Sequence, residues 1–315
     1  MTVDEEKQQV EETTTASAQS ETDNDDDQTL TTDIQLQTTN AVYSRWTTAV
    51  NSTLLVIVLP LLVAGFANGN DFSMEVALGI EITSLSFHMI GGLIAVFGLL
   101  AQVFTGTSMS RNRSSDANND QDSPKQDVRR RQYRMAHVIV GWVLFALLAA
   151  VGLTGVYIAL AYWDDYGYIY TSPITSVPGI IILLLLIAGI VTVKIKRNIP
   201  LHKDIMVTFM IYLCTKVGIF KWLGMMLATT TVDGCYGPVP SAVASIISFL
   251  IVYPSVWLGA FWKAGRLSGV WKVVMLMILP ALLPVIIGNA AVFSYYGTTV
   301  DWNTCPDYFG GGAPN

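Results

Sequence analysis

The chain has 315 residues, of which 52% are apolar and only 13% are charged. Soluble domains carry about a quarter charged residues, so this composition predicts burial in a lipid bilayer rather than around a water-soluble core. The net charge of −6 is unevenly distributed, because residues 1–44 hold eleven acids and one base, a balance of −10, which leaves +4 for the remainder.

Residues 1–44 form an acidic segment rich in Thr, Gln, Asp and Glu, with runs such as DNDDD. A segment with so little apolar surface cannot offset the entropy lost on ordering, so it is predicted to be a disordered tail. Such a tail either solvates the chain or contacts a protein partner. No basic region followed by an apolar region opens the sequence, so no cleaved signal peptide is expected.

Seven apolar stretches follow, each close to the roughly 20 residues that cross about 30 Å of hydrocarbon. We predict an all-α domain over residues 45–295 and an extracytoplasmic tail over 296–315. The seven transmembrane helices are expected at residues 46–66, 82–104, 136–160, 178–195, 205–227, 240–262 and 270–294.

Prolines mark several of these spans. Pro178 is expected in the first turn of the fourth span, where a missing N–H is tolerated. Kinks are predicted where prolines lie inside spans, at Pro60, Pro254, Pro280 and Pro284.

Basic residues predict the orientation. If the amino terminus is cytoplasmic and the spans alternate, the outer segments hold eight acids and no Lys or Arg, whereas every inner segment holds basic residues. The outer segments are then 67–81, 161–177, 228–239 and 295–315. We therefore predict an integral membrane protein with an extracytoplasmic carboxyl terminus. The basic run RRRQYR (129–134) is explained by this topology and by anionic lipid headgroups, so the bilayer and not nucleic acid is the expected partner.

Two cysteines, Cys235 and Cys305, fall in predicted outer segments. Conditions there are oxidising if the membrane is a surface or secretory one. We expect the two to form a disulfide, with two free thiols as the alternative.

All three histidines lie in or at the ends of predicted spans. His88 shares a helical stripe with small residues and should face the bundle, the stripe being Gly91, Gly92, Ala95 and Gly98. His137 begins the third span and His202 immediately precedes the fifth, on the same predicted side. At about 1.5 Å per residue, His88 lies roughly 20 Å from that level.

Three interpretations of the pair His137 and His202 stay open. Two neutral imidazoles could hold a b-type haem as axial ligands, with Arg134 and Lys203 near its propionates, and His88 is a weaker candidate. The second interpretation is a metal site, although only Asp204 lies nearby to complete the ligand set. The third interpretation is structural, with the imidazoles hydrogen-bonded to backbone carbonyls and lipid headgroups. The leading functional hypothesis is a membrane redox or haem-binding protein.

Lys216 lies near the middle of the fifth span, on the same helical face as His202. A cation at that depth is costly and usually functional, so Lys216 is expected to be neutral, to line a water-filled cavity or to bind an anionic ligand. The rival hypothesis is therefore a transporter or small-ligand-binding protein with a polar cavity around Lys216 and Asn289. A structural or interaction protein is the third class. No phosphate-binding glycine loop, HExxH motif or serine-nucleophile motif occurs, so no reaction is predicted.

The contexts of the histidines resemble a known family. These are FHMIGGLIAVFGLLAQ, YRMAHVIVGWVLF and PLHKDIMVTFMIYL. They resemble the predicted membrane proteins grouped as domain of unknown function 2306, over roughly residues 80–230. That resemblance implies the seven-helix fold and the three-histidine set, but no activity. A more distant similarity is to ascorbate-reducible b-type cytochromes, whose two haems need four histidines, so it implies one haem at most.

Overall fold

The computed structural model describes Ala49, Val56 and residues 82–116, 124–161, 172–230 and 238–296. Almost all of these residues are helical and none is in a strand, so the described part is all-α, as predicted. The acidic tail, nearly all of the first predicted span, Cys235 and Cys305 lie outside it.

Six helical rods occupy these ranges. The first three are α1 (Ile82–Asp116), α2 (Pro124–Ala161) and α3 (Ser172–Lys194). The other three each contain a π-helical segment. They are α4 (Ile199–Cys214, π Thr215–Phe220, Lys221–Thr230), α5 (Pro238–Ser245, π Ile246–Val252, Tyr253–Lys263) and α6 (Val270–Val273, π Val274–Ile278, Leu279–Tyr296).

Five of these rods, α2 to α6, are long and apolar enough to cross a membrane, which makes this a multi-pass membrane protein. Their apolar segments are Arg131–Ala159, Ile174–Lys194, Ile199–Gly224, Ser241–Lys263 and Val270–Ala291. The apolar part of α1 is shorter, at Ile90–Gly106. A total of seven spans stays a prediction.

Four described helices begin earlier than the predicted spans: α2 at Pro124, α3 at Ser172, α4 at Ile199 and α5 at Pro238. In α3 the first turn holds Pro173, and Pro178 lies inside the helix, so the placement of Pro178 in the first turn is wrong. The polar residues before Pro178 extend the helix at its amino-terminal end instead of forming a loop.

The fifth predicted span also starts sooner, at Ile199. The Asn198 side chain accepts the N–H of Leu201, and Pro200 occupies the first turn. Both are helix-start signals. His202 therefore lies inside α4 rather than ahead of it.

Widened helical turns accompany two of the prolines predicted to kink their spans. The π-helical segments of α5 and α6 end just before Pro254 and Pro280. A proline removes one backbone N–H and crowds the preceding turn, and a wider turn relieves both effects.

The helices pack through small residues and large aromatic ones. α1 and α2 are antiparallel, since Gly91 faces Val151 and Gly98 faces Leu144. α3 packs against α2, α4 and α6, while α5 packs against α4 and α6. Six of the seven largest fully buried side chains belong to α4 and α5, so the boundary between these two helices forms the centre of the core.

A glycine on α2 makes the approach of α1 possible. A Cβ at Gly155 would lie 2.6 Å from Cε1 of His88, whose ring is held by a hydrogen bond and cannot simply turn away. We expect Gly155→Ala to destabilise the protein by about 1–3 kcal/mol, the usual cost of overpacking. A lower midpoint of thermal unfolding of the purified protein in detergent would show this.

Gly92→Ala is the matched control, because nothing lies within 4 Å of a Cβ built there. Its midpoint should equal that of the wild type. Equal midpoints for the two variants would contradict the close contact between His88 and α2.

Candidate functional site

Four segments lie at one end of the bundle, which we call the basic end. They are the start of the apolar part of α2, the end of α3, the start of α4 and the loop from α5 to α6. The Lys194 ammonium lies 5.4 Å from the centre of the Trp142 ring. The ring of His202 donates from Nδ1 to the Gly189 carbonyl at 2.7 Å. These contacts join α2 to α3 and α3 to α4.

A buried carboxylate, Asp204, forms the strongest polar cluster at the basic end. It is only 3% exposed. Arg266 Nε lies 2.5 Å from Oδ1, and Lys272 Nζ lies 2.6 Å from Oδ2. Arg266 also donates to the Pro200 carbonyl, and Lys272 donates to the Arg266 carbonyl, both at 3.0 Å. We call Asp204, Arg266 and Lys272 the Asp204 triad.

Two glycines shape the loop between α5 and α6, which carries Arg266, whereas Lys272 lies in the first turn of α6. Gly265 has φ +62° and Gly269 has φ +94°, values that residues with a side chain rarely adopt. They let the chain turn sharply between α5 and α6, so that Arg266 reaches the start of α4.

Above the triad, α4 and α5 meet along a continuous line of contacts. Trp257 Nε1 donates to Thr208 Oγ1 at 2.9 Å, and the Tyr212 and Tyr253 rings meet edge to face at 5.0 Å. All four side chains are fully buried. We call this line the α4–α5 seam; its residues are Thr208 and Tyr212 on α4 and Phe249, Tyr253 and Trp257 on α5.

The ring of His137 has a hydrogen-bond partner for each of its nitrogens. Gln102 donates from Nε2 to His137 Nε2 at 3.1 Å. The Thr105 hydroxyl donates to the Ala101 carbonyl, so it accepts from His137 Nδ1 at 3.2 Å. The two contacts are consistent with a neutral imidazole protonated at Nδ1.

Axial ligation of haem needs one ring nitrogen free of hydrogen bonds in each histidine. His202 donates from Nδ1, which leaves its Nε2 for a ligand. Both nitrogens of His137 are occupied by α1, so the arrangement observed here does not fit a haem at His137. The electrostatic influence of His202 reaches the His137 ring, but no hydrogen bond joins the two among the described residues.

His88 lies on the opposite half of the bundle. It is half-buried and donates from Nδ1 to the Val151 carbonyl at 2.9 Å, so it faces α2, as the small-residue stripe predicts. The His88 ring lies at Gly155 of α2, and the next residue, Val156, lies with the Lys216 ammonium beside Gly179. His88 and Lys216 therefore lie at neighbouring positions along α2.

Lys216 is the second residue of the π-helical segment of α4. Its Nζ lies over Gly179, 3.1 Å from where a Cβ would be, so the missing side chain of Gly179 makes room for the ammonium. Within the described ranges Lys216 has neither an acidic partner nor a hydrogen bond. This contrasts with the Asp204 triad, where each charged group has an oppositely charged partner.

Unpaired polar atoms are concentrated on α5 and α6. Ser241, Ser245 and Ser248 are fully buried, yet none of their hydroxyls has a described partner. Threonines elsewhere in the bundle bond to the carbonyl four residues earlier, as at 105, 154, 192, 208 and 215. The amide oxygen of Asn289 on α6 is also buried and unpaired in the described part. These serine hydroxyls therefore lack the intrahelical hydrogen bond that the threonines make.

Comparisons with known proteins add no further assignment. No family model, no curated protein and no solved structure matches the chain. The family resemblance stays a prediction. Among the described residues no group of three or more His, Cys, Asp or Glu side chains could hold a metal ion.

Sequence reasoning identified His88, His137, His202, Lys216 and Asn289, which the structure does not gather into one site. It missed the Asp204 triad and the serine face of α5. The sequence of α4 contained a partial signal of the triad, because polar residues recur there every four positions, at Asp204, Thr208, Tyr212 and Lys216. Arg266 and Lys272, the partners of Asp204, were interpreted only as basic residues that set the orientation in the membrane.

The hydrogen bond between Trp257 and Thr208 can be tested with a matched pair of threonines. Thr208→Val leaves the buried indole N–H without an acceptor, which costs about 1–3 kcal/mol. Thr192→Val is the control, since buried Thr192 bonds only to carbonyls of its own helix. We expect a lower unfolding midpoint for Thr208→Val than for Thr192→Val, and equal midpoints would contradict the bond.

Proposed function

We propose that this membrane protein binds a small anionic ligand at Lys216, as a transporter or a ligand-binding protein. We further propose that the amino terminus and the basic end face the cytoplasm, which the distribution of basic residues supports. The observation that carries the ligand proposal is the Lys216 ammonium, which lies among membrane helices without a described counter-ion.

Charge balance supports an anion as the missing partner. A cation inside a bilayer is costly unless it is paired or hydrated, and such residues are typically functional. Asp204 shows how a charge inside the membrane is paired elsewhere in this chain, because two cations lie beside this single buried carboxylate. A bound anion would give Lys216 the partner that the described helices do not provide.

The position of the Lys216 ammonium favours a small ligand. Its Nζ lies over Gly179 of α3, where the missing side chain makes room. A carboxylate forms a charge-assisted hydrogen bond with an ammonium, so we propose small carboxylates as the ligand class.

The test compares carboxylates with uncharged amides of the same shape, namely benzoate with benzamide and acetate with acetamide. We expect a carboxylate to raise the unfolding midpoint of the wild-type protein in detergent, and its amide to have no effect, because only binding to the folded state stabilises it. Lys216→Met should weaken carboxylate binding about 10- to 100-fold, the equivalent of one charged hydrogen bond of about 1.5–3 kcal/mol.

Lys196→Met is the control, since it removes an exposed lysine just after the end of α3, seventeen residues from Gly179. It should bind carboxylates as the wild type does. Equal stabilisation by acid and amide, or an unchanged affinity in Lys216→Met, would contradict the proposal.

Haem ligation by His137 and His202 stays a prediction that the hydrogen bonds of His137 do not favour. We expect protein purified after expression with haem available to show no Soret absorption band. A Soret band that is lost in both His137→Ala and His202→Ala would establish the haem hypothesis instead and would require Gln102 or Thr105 to release the His137 ring.

A further inference from the structure

The turn between α3 and α4 is a short, exposed connection at the basic end. The membrane-crossing segment of α3 ends at Lys194 and that of α4 begins at Ile199, so only residues 195–198 separate the two segments. All residues from Lys194 to Pro200 are exposed. A connection this short stays close to the edge of the hydrocarbon, because four residues can extend by only about 14 Å. The turn is therefore level with the lipid headgroups.

The turn carries positive charge that no acid of the described chain neutralises. No Asp or Glu occurs at positions 193–203, and the carboxylate of Asp204 is enclosed by the other members of its triad. Lys196 and Arg197 are exposed and have no acidic partner among the described residues. An anion from outside the chain would therefore meet two cations here and no repelling carboxylate.

Exposed apolar side chains flank these cations. Ile195 is 75% exposed and Ile199 is 57% exposed. At a membrane surface such apolar side chains enter the boundary between headgroups and acyl chains, while neighbouring cations remain among the phosphates. The turn thus offers both of the contacts that a phospholipid makes, whereas a soluble anion would use the cations alone.

Arg197 has an unusual backbone conformation for its residue type. Its φ is +51°, and among the described residues it is the one non-glycine residue with a positive φ. The N–H of Asn198 donates to the Thr192 carbonyl at 2.9 Å, which closes the chain around Arg197 at the end of α3. Glycine commonly occupies this position after a helix, because a Cβ is disfavoured there. The arginine therefore costs stability that glycine would not, and a cost of this kind points to a function of its side chain.

Two hydrogen bonds hold the turn and the start of α4 in place. Arg266 donates from Nη2 to the Pro200 carbonyl at 3.0 Å, which fixes the neighbouring α5–α6 loop against the turn. The Asn198 side chain accepts the N–H of Leu201 at 3.0 Å. A segment that is already ordered loses little conformational entropy when a ligand binds, which favours binding.

We propose that the α3–α4 turn binds the phosphate of an anionic phospholipid, with the Arg197 guanidinium on the phosphate and Ile195 and Ile199 against the acyl chains. A guanidinium is suited to this role, because its planar fork can donate two hydrogen bonds to one phosphate. This lipid site is separate from the carboxylate site assigned to Lys216 and does not depend on it.

The test measures lipid binding by the full-length protein in an uncharged detergent, with no carboxylate ligand added. Native mass spectrometry counts the bound lipid molecules while dioleoylphosphatidylglycerol, which is anionic, or dioleoylphosphatidylcholine, which is zwitterionic, is added. The wild type should bind the anionic lipid at least about fivefold more tightly than the zwitterionic one. Equal affinities would overturn the proposal.

Arg197→Gly separates a role in binding from a role in folding. It removes the guanidinium and relieves the backbone, so its unfolding midpoint without lipid should equal or exceed that of the wild type. Its affinity for phosphatidylglycerol should fall about fivefold, the effect expected of one basic residue at an anionic surface. Arg197→Asn should behave in the same way, because asparagine also accepts this conformation.

Two results with these variants would contradict the lipid site. An unchanged affinity for phosphatidylglycerol would show that Arg197 does not contact the lipid. A lower unfolding midpoint in both variants, or failure of both to fold, would show that the arginine is needed for the fold.

Lys263→Gln is the matched control, because it removes one exposed cation from the same end of the bundle, at the end of α5. It should bind phosphatidylglycerol nearly as the wild type does. Equal losses of affinity in Arg197→Gly and Lys263→Gln would show a general attraction between basic residues and anionic lipid, and would overturn a site at the turn.

Glycerol phosphate, the soluble part of the lipid, tests whether a phosphate alone is sufficient. It should bind the wild type at least about tenfold more weakly than phosphatidylglycerol, because it lacks the acyl chains that contact the two isoleucines. Equal binding would assign the turn to a soluble phosphate and would overturn the lipid as its ligand.

Discussion

A carboxylate buried among membrane helices needs its charge balanced where it lies, and at Asp204 the balance comes from two cations of the α5–α6 connection. Removing either partner of such a buried pair typically costs about 3–5 kcal/mol, since it leaves an unmatched charge away from water. This requirement fixes the loop between α5 and α6 against the start of α4. The packing of Trp257 on Thr208 and of Tyr253 on Tyr212 then follows from the register that the loop imposes.

Helix α4 carries two charged residues in different surroundings: Asp204 has oppositely charged partners, and Lys216 has no described acidic partner. Asp204 is enclosed by the triad, whereas Lys216 lies over Gly179 with no described acid beside it. A chain selected only for stability would have little reason to keep an unmatched cation at that depth. The difference between the two levels is the physical basis for the structural role of Asp204 and for the ligand-binding role that we propose for Lys216.

Much of the fold could be predicted from the sequence, because long apolar stretches and glycine stripes act locally along one helix. The membrane helices, the orientation of His88 towards its neighbour and the unusual position of Lys216 belong to this class. The predicted helix starts were less accurate, because they were placed where the apolar stretch begins. In α3 and α4 the helix starts earlier, at the signals given by Pro173 and by the Asn198 cap. The Asp204 triad could not be predicted, because it joins residues 62 and 68 positions apart through a loop shaped by two positive-φ glycines. His137 was expected to be available to an iron, and only the structure shows that Gln102 and Thr105 from α1 reach both of its ring nitrogens.

The most direct measurement is the unfolding midpoint of Asp204→Asn and Lys216→Met, determined side by side in the same detergent without ligand. Loss of the matched charge at Asp204 should lower the midpoint strongly, because Arg266 and Lys272 are left facing each other without an acid. Loss of the unmatched charge at Lys216 should leave the midpoint unchanged or raise it, because an apolar side chain replaces a half-buried cation that has no described acidic partner. A large decrease in both variants would show that Lys216 is already paired within the folded chain, and would contradict the account.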